Sequence, residues 1–325
     1  MQAAALQERL AVVVNPRAAA SAGNGWRELR SPLLAWGESC VEVETRGDGA
    51  NVARVARTIA ETSPDLLVAA GGDGTLADVV QAIMDCPPPI RPKLAIVPLG
   101  TANNVARSLG LESCRRGGRR AVELALGAIR NGRDRSIDLG QADDRYFIGS
   151  YALGMDADIL CLRDRISRRF KASPVLRRVV RGYPLYLWSC AANLLRRHGA
   201  PMRMVADGRE QTGHGYNVLI TNTSIYAGEF RFAAGDPSSD GMLDLQVFGG
   251  AADYVAAYSA AWARHLRVTA GAQVPAARRL RRVRDVEIGF DRPVWAQLDG
   301  EEMPATQVVR VRAVPAALRV RVPGR

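Results

Sequence analysis

The chain has 325 residues, of which 47% are hydrophobic and 24% are charged, and this composition excludes a wholly disordered protein. Its formal net charge of +11 favours an anionic partner, such as a nucleic acid, a phosphorylated substrate or an acidic membrane surface. The five scattered cysteines include no CxxC pair, so they indicate neither a disulfide framework nor a zinc site, and a reducing cytoplasm fits them.

Neither the N-terminus nor the longest apolar stretch of the chain predicts a membrane anchor. The N-terminus lacks the basic start and long apolar region of a signal peptide. The segment Tyr183–Leu195 is the longest apolar-looking stretch, but it is too short to span a bilayer and contains Asn193. We therefore expect a cytoplasmic protein that is soluble or peripherally associated with membranes.

The first 133 residues alternate between strand and helix patterns. Strands are predicted at LAVVVNP (10–16), CVEVETR (40–46), DLLVAAGG (65–72) and KLAIVPLG (93–100). Apolar residues recur at helical spacing between them, as in Val52, Val55 and Ile59. Buried strands separated by helices predict an α/β domain with a parallel sheet, covering residues 1–133.

Residues 134–311 have a different pattern and predict a mostly antiparallel β-sandwich domain. Short strands are indicated by RYFIGSYAL, MRMVADG, GYNVLITN and MLDLQVF. VEIGF and VWAQL, on either side of DRP (291–293), predict a hairpin. Helices are expected at about 160–197 and 251–267, and the tail 312–325 is expected to pack back onto the first domain.

The second of these helices has an apolar stripe. In ADYVAAYSAAWARHL, helical spacing places Tyr254, Val255, Tyr258, Trp262 and Leu266 on one side. Such a stripe is typical of packing against a sheet.

The glycine-rich turn GGDGT (71–75) follows the strand at 65–72 and opens a helix. Such a turn forms an anion site, because free N–H groups and the positive end of the helix dipole converge there. A carboxylate repels a bare phosphate, so Asp73 fits this role if Mg²⁺ lies between it and a nucleotide. The alternative is a capped turn that needs positive φ.

Two more turns, NPRAAASAGNG (15–25) and PLGTANN (98–104), also follow strand ends. In an open α/β sheet these ends share one crevice where ligands bind. A GxxxxGK[ST] P-loop and a GxGxxG after a strand are both absent from the sequence, which disfavours the familiar ATPase and dinucleotide motifs.

Taken together, these motifs resemble the diacylglycerol kinase catalytic-domain superfamily, within which the soluble bacterial lipid kinases and sphingosine kinases are most similar. The similarity rests on NPR, ETRGDGA (44–50), GGDGTLADVV and PLGTANNVARSLG, and continues through YFIGSYALGMDA (146–157), TNTSIYAGEF (221–230), DPSSDGMLDL (236–245) and QLDGE (297–301). It implies an ATP- and Mg²⁺-dependent kinase with a nucleotide cleft between the two domains.

The resemblance also implies which residues bind the nucleotide. By matched position these are Asn15, Pro16, Thr45, Gly71, Gly72, Asp73, Gly74, Thr75, Asp78, Gly100, Thr101 and Asn103. The chain departs from the family pattern at Ala18-Ala19, where Ser-Gly is usual, at Asp78, where glutamate is common, and at Asn104, where aspartate is usual. The first departure removes a hydroxyl from the phosphate turn.

The LDGE motif (298–301) supplies candidate catalytic acids. A lipid hydroxyl is a poor nucleophile near neutral pH, so a carboxylate should accept its proton. Residues two apart on a strand share a face, which would direct Asp299 and Glu301 into the cleft together. We favour Asp299 as the base and keep Glu301 as second candidate; a β-turn with solvated acids is the alternative.

A second Mg²⁺ site, away from the nucleotide, is also implied by the resemblance. Its ligands would be the Asp240 carboxylate and the backbone carbonyls of Pro237 and Met242. The alternative is a simple DG turn between strands.

The segment Arg163–Arg203 combines many arginines with the apolar stretch GYPLYLWSCAANLL. Basic ends around an apolar centre suit an anionic membrane surface, although a solvated helix pair would show the same pattern. We do not expect nucleic-acid binding, since no recognised nucleic-acid module accompanies the charge. Assembly as a homodimer is left open.

The sequence thus predicts a kinase that phosphorylates a hydroxyl of a membrane lipid, with diacylglycerol as the default substrate. One rival is an NAD-kinase-like enzyme with a soluble substrate. Another is a catalytically inactive nucleotide- or lipid-binding module, which Ala18-Ala19 supports.

Overall fold

The computed structural model describes residues 8–35, 40–111, 119–169, 189–190, 192–194, 199–233, 237–269 and 281–324. The predicted membrane segment Arg163–Arg203 lies largely outside these residues. Among the described helices, none combines the length and apolarity needed to cross a bilayer.

The N-terminal part is a parallel sheet with helices on both faces, as predicted. Its strands are β1 (Leu10–Val14), β2 (Cys40–Glu44), β3 (Leu66–Gly71) and β4 (Lys93–Pro98). Its helices are α1 (Pro16–Ala22), α2 (Asn24–Leu34), α3 (Asn51–Thr62), α4 (Asp73–Asp85), α5 (Asn104–Ser108) and α6 (Arg119–Asn131). The strand order is β2-β1-β3-β4.

Alternate residues of these strands fill two cores. Val12 packs on one face with Leu29 of α2 and Ile129 of α6. Val13 packs on the other face with Ile59 of α3. Both faces of each central strand are therefore buried, which explains the nearly continuous apolar runs in the sequence.

The rest of the chain forms a mostly antiparallel, β-sandwich-like domain. Its strands are β5 (Arg133–Ala142), β6 (Arg145–Phe147), β7 (Ser150–Gly154), β8 (Ala200–Ala206), β9 (Arg209–Gly215), β10 (Asn217–Thr221), β11 (Leu243–Phe248), β12 (Arg281–Val283), β13 (Asp285–Leu298) and β14 (Glu301–Val322). Its helices are α7 (Met155–Arg169) and α8 (Ala251–Thr269).

All of these strands belong to one mixed sheet, ordered β12-β11-β10-β7-β13-β14-β4-β3-β1-β2, with β5 paired to β14 and β8 to β13. The long strand β14 joins the two parts, because Val320 pairs in parallel with Leu94 of β4. The predicted domain boundary at residue 133 stays a prediction.

The predicted hairpin around DRP is wrong. Residues Asp285–Leu298 form a single strand with an irregular register between Gly289 and Val294. At this irregularity β13 changes its neighbour from β8 to β7, and Pro293, which has no N–H group, is tolerated there because regular pairing is interrupted.

The apolar stripe predicted on the helix at 251–267, here α8, is only partly correct. Tyr254 and Tyr258 of α8 are buried, but Val255, Trp262 and Leu266 are exposed. The inward face repeats at 254, 258, 261 and 265, and the three exposed residues lie about 100° around the helix from it.

An ion-pair network ties the N-terminal segment, β4, β5 and β14 together at the end of β4 opposite the predicted site. Arg321 Nη1 lies 2.5 Å from Glu8 Oε2, and Arg321 Nε lies 2.8 Å from Asp134 Oδ1. Lys93 Nζ lies 2.7 Å from Glu8 Oε1 and 2.8 Å from Asp134 Oδ2. The hydrogen bond from Arg321 is the main cause that lowers the pKa of Asp134 to about 2.

We expect Arg321→Gln to lower the free energy of unfolding at pH 7 by about 2 kcal/mol, because Glu8 and Asp134 then keep a single cationic partner of this network, Lys93. The folded pKa of Asp134, about 2, lies below its ordinary value of 3.8, so its contribution is present above pH 3.8 and is lost as pH falls toward 2. Urea unfolding at pH 7 and pH 3 should show the difference shrinking at the lower pH.

Arg310→Gln is the matched control, since its ion pair with Asp285 is largely exposed and should contribute at most about 0.5 kcal/mol. If the free energy of unfolding falls equally in the two variants, the stabilising role of the network is contradicted.

Candidate active site

The GGDGT turn joins β3 to α4 and presses against the turn after β4. A Cβ on Gly100 would lie 2.5 Å from Gly72 Cα, so the two backbones are in direct contact. Gly74 instead faces the cleft, where a Cβ would lie 2.8 Å from Glu301 Oε1. The glycines thus bring two turns together and leave the N-terminus of α4 open to the cleft.

The NPR turn is fixed to this structure through Asn15. The Asn15 side chain caps α1 by accepting hydrogen bonds from Arg17 N (3.0 Å) and Ala18 N (3.2 Å), and Pro16 occupies the first turn of the helix. Asn15 Nδ2 also donates to Thr75 Oγ1 at 3.2 Å. Thr45, buried beside this turn, donates its N–H to Val14 O at 2.9 Å.

Asp73, the first residue of α4, is hydrogen-bonded by the backbone N–H groups of Asn103, Asn104 and Val105. It therefore holds the start of the short helix α5 as a capping carboxylate does. Burial raises the pKa of Asp73, whereas these amides favour the ionised form. The sequence did not indicate this second, structural role.

The LDGE motif forms the tight turn between β13 and β14. Asp299 (φ 49°) and Gly300 (φ 86°) are its two central residues, and both have positive φ, as type I′ turns require. The motif is therefore a turn, and the prediction that its two acids lie on one strand face is wrong.

The turn nevertheless places the Asp299 carboxylate in the cleft, against the connection between β6 and β7. Asp299 Oδ1 accepts hydrogen bonds from Gly149 N (2.8 Å) and Ser150 N (2.7 Å), and Oδ2 accepts one from Ile148 N (2.9 Å). Burial, with a smaller contribution from the charge of Asp73, raises the pKa of Asp299 to about 6 despite these donors. A carboxyl with this pKa is ionised, yet still basic, near neutral pH.

Glu301 begins β14 and lies on the α4 side of the cleft. Burial raises its pKa, and the charge of Asp78 adds to the effect. Asp78 accepts a hydrogen bond from Asn51 Nδ2 at 2.9 Å, and burial raises its pKa also. Asp299 and Glu301 therefore face different walls of the same cleft.

The cleft has a volume of about 810 Å³. The predicted site residues that line it are Asp73, Gly74, Thr101, Asp299 and Glu301. Asn103 is packed against this wall, since its Nδ2 donates to Gly100 O at 3.0 Å.

The far wall of the cleft contains residues that sequence reasoning missed. Asp156 lines it and accepts hydrogen bonds from Tyr254 Oη (2.6 Å), Tyr258 Oη (2.5 Å) and Asn217 Nδ2 (2.9 Å). Burial raises its pKa. An aspartate two residues after the buried strand β7, in GMDA, was the available signal.

Arg107 and Asn104 fix the other edge of that wall. Arg107 Nη1 donates to Gly228 O at 2.6 Å, and Asn104 Oδ1 accepts from Gly228 N at 2.6 Å. The asparagine at position 104 thus links the two parts of the chain across the cleft.

The predicted second metal ligands lie apart from the residues that line the cleft. Asp240 forms an ion pair with Arg282, and its Oδ1 accepts from Met242 N at 3.0 Å. Within the described residues, no group of three or more His, Cys, Asp or Glu side chains is arranged to hold a metal. However, Asp244 is buried with Oδ2 lacking a hydrogen-bond partner, and burial together with Asp240 raises its pKa to about 6.

Two family models match this chain, one in each part of the fold. Residues 9–142 match the diacylglycerol kinase catalytic domain, and residues 166–322 match the YegS C-terminal NAD kinase beta sandwich-like domain. The chain belongs to the diacylglycerol kinase catalytic-domain superfamily.

Individual relatives agree with this assignment. The chain is 30% identical over 183 residues to a diacylglycerol kinase of Bacillus subtilis (strain 168), covering 56% of this chain and 54% of that protein. It is 42% identical over 94 residues to one from Staphylococcus epidermidis, covering 29% and 27%. The matches thus span about half or less of the relatives' length.

The fold is similar to a solved structure over nearly its whole length. The crystal structure of a diacylglycerol kinase from Bacillus anthracis str. Sterne superimposes with a TM-score of 0.70, covering 98% of both chains at 18% identity. This likeness supports the fold.

We expect activity to require the ionised form of Asp299. Because the pKa of this acid is raised to about 6, kcat/KM for phosphate transfer should rise with pH along a limb centred near pH 6. Glu301→Gln should slow turnover but keep that limb, whereas Asp299→Asn should abolish it.

Gly149→Ala provides a test that retains the Asp299 side chain but changes its position. The new Cβ would lie 2.8 Å from Asp299 Oδ1 and so displace it, which should lower kcat about tenfold or more with little change in nucleotide affinity. A wild-type kcat in Gly149→Ala, or a limb near pH 4, would show that Asp299 is not the base.

Proposed function

We propose that this protein is an ATP- and Mg²⁺-dependent lipid kinase that phosphorylates a hydroxyl of a membrane lipid, with diacylglycerol converted to phosphatidic acid. One observation carries this proposal: a single cleft contains the open N-terminus of α4 and a buried carboxylate, Asp299, at its opposite wall. The names of the matched relatives support diacylglycerol as the substrate.

The nucleotide phosphates would lie at the start of α4. Gly72, Asp73 and Gly74 present the first amides of a helix of 13 residues, whose dipole favours negative charge. Asn15 supports this turn through its hydrogen bond to Thr75, Thr45 bonds the end of β1 beside Asn15, and Thr101 lines the cleft.

The donor set also fits Mg²⁺. Burial is the main cause that raises the pKa of Asp299, and the charge of Asp73 adds to it. A divalent cation between the two acids would relieve both effects. Bound Mg²⁺ would neutralise charge on the transferred phosphate. Asp73 would be a carboxylate ligand of that ion.

Asp299 would accept the proton of the lipid hydroxyl. Its three backbone donors hold the carboxylate in one orientation, so little reorganisation is needed when the proton arrives. Ile159, Leu160 and Ile225 supply apolar surface farther along the cleft, which suits an acyl-glycerol.

A second Mg²⁺ at Asp240, with the carbonyls of Pro237 and Met242, remains part of the proposal. The unsatisfied oxygen of Asp244 nearby supports a cation there, and the ion would have to displace Arg282 from Asp240. Peripheral membrane association in the cytoplasm, aided by the Arg163–Arg203 segment, likewise remains a prediction.

Radiolabelled ATP tests the proposal when it is supplied with diacylglycerol, NAD or no acceptor. We expect label in phosphatidic acid, dependent on Mg²⁺, and a loss of about a hundredfold or more in Asp73→Asn. Glu210→Gln is the matched control, because this acid is exposed and forms an ion pair with Arg203. Label in NADP, or transfer to water alone, would contradict lipid kinase activity.

A further inference from the structure

Helix α8 has two chemically different faces. Its inner face belongs to an aromatic cluster in which Tyr258 lies 4.9 Å from Phe230 and 5.1 Å from Phe232, measured between ring centroids. Tyr254 and Tyr258 on this face also bind Asp156 in the cleft wall. The inner face is therefore part of the folded core.

The outer face of α8 is almost entirely apolar although it is exposed. Its large side chains are Val255, Trp262 and Leu266, which are 44%, 46% and 47% exposed. The exposed residues around them are Ala252, Ala256, Ser259, Ala260, Ala263 and Arg267. A contiguous apolar surface of this kind on a folded protein marks an interaction site.

Helix α8 packs against a segment of the chain that leads to the cleft. Arg231 N donates to Ala261 O of α8 at 3.2 Å, and Arg264 Nη1 donates back to Arg231 O at 2.8 Å. The segment that α8 holds in this way continues from Tyr226 and Glu229, which line the cleft. A ligand on the outer face of α8 is therefore separated by this one helix from a segment that continues into the cleft wall.

Charge favours an anionic occupant. Arg267 lies in the last turn of α8, and Arg281 is an exposed residue at the start of β12. The whole chain carries a net charge of +11. A neutral or cationic protein surface would gain nothing from this charge, whereas an acidic bilayer would.

We propose that the outer face of α8 docks on the surface of an anionic bilayer, with the helix lying in the plane of the interface. A helix of 19 residues is about 28 Å long, and Trp262 and Leu266 would enter the region between headgroups and acyl chains. The inference deepens the proposed function, on which it rests for its lipid acceptor, because docking would present the cleft to lipids of that bilayer.

The test compares the double variant Trp262→Ser/Leu266→Ser with Val308→Ser, a matched control that removes another exposed apolar side chain (58% exposed) from β14. Flotation with vesicles of phosphatidylcholine and phosphatidylglycerol (about 3:1) should show at least a tenfold loss of binding in the double variant only. Turnover of diacylglycerol embedded in these vesicles should fall in proportion. Turnover of a water-soluble short-chain diacylglycerol, without detergent, should be unchanged.

Vesicle binding equal to wild type in the double variant would overturn the proposal. So would a wild-type dimer that becomes monomeric in the double variant while vesicle binding persists, since the face would then bind a second copy of the chain. The two single variants, checked by thermal melting, exclude a folding defect as the cause of lost binding. Wild-type protein could phosphorylate neither the vesicle-embedded nor the short-chain diacylglycerol and still need Trp262 and Leu266 to bind vesicles. In that case the docking surface stands and the proposed activity fails.

Discussion

The hydrogen bonds between the Asp299 carboxylate and the amides of Ile148, Gly149 and Ser150 determine the shape of the cleft. They fix the β13–β14 turn against the β6–β7 connection, and so hold Glu301 over the start of α4. Three charge-assisted bonds offset much of the cost of burying this carboxylate, although its pKa of about 6 shows that burial still dominates. A tight turn by itself does not require a buried carboxylate.

Asp73 repeats the same arrangement on the opposite wall. Its carboxylate is held by the amides of Asn103, Asn104 and Val105, which join the GGDGT turn to the turn after β4. Direct contact between Gly72 and Gly100 reinforces this connection. Hydrogen bonds within the protein thus hold both walls, and each wall presents a carboxylate whose pKa burial raises.

Much of this architecture could be predicted because the information is local. The β1–β4 strands follow from apolar runs, and the ligand turns follow from their position after parallel strands. The hairpin prediction failed because Pro293 indicates a turn locally, whereas the change of partner from β8 to β7 depends on distant strands. The stripe on α8 was misjudged for a related reason: its spacing shows which residues align, but the position of the sheet decides which side is buried.

Three features lie in different parts of the fold: the cleft, the outer face of α8 and the ion-pair network around Arg321. The network around Arg321 stabilises the end of β4 remote from the site, whereas α8 packs on the strands that border the acceptor wall. Such a division allows the site to carry uncompensated charge, since stability is supplied elsewhere.

A crystal structure of the protein with Mg²⁺ and a non-hydrolysable ATP analogue would test the central claim most directly. The account predicts the terminal phosphate at the amides of Gly72–Gly74, with the metal beside Asp73 and the Asp299 carboxylate across the cleft. A nucleotide bound away from α4, with Asp73 and Asp299 contacting neither phosphate nor metal, would contradict it.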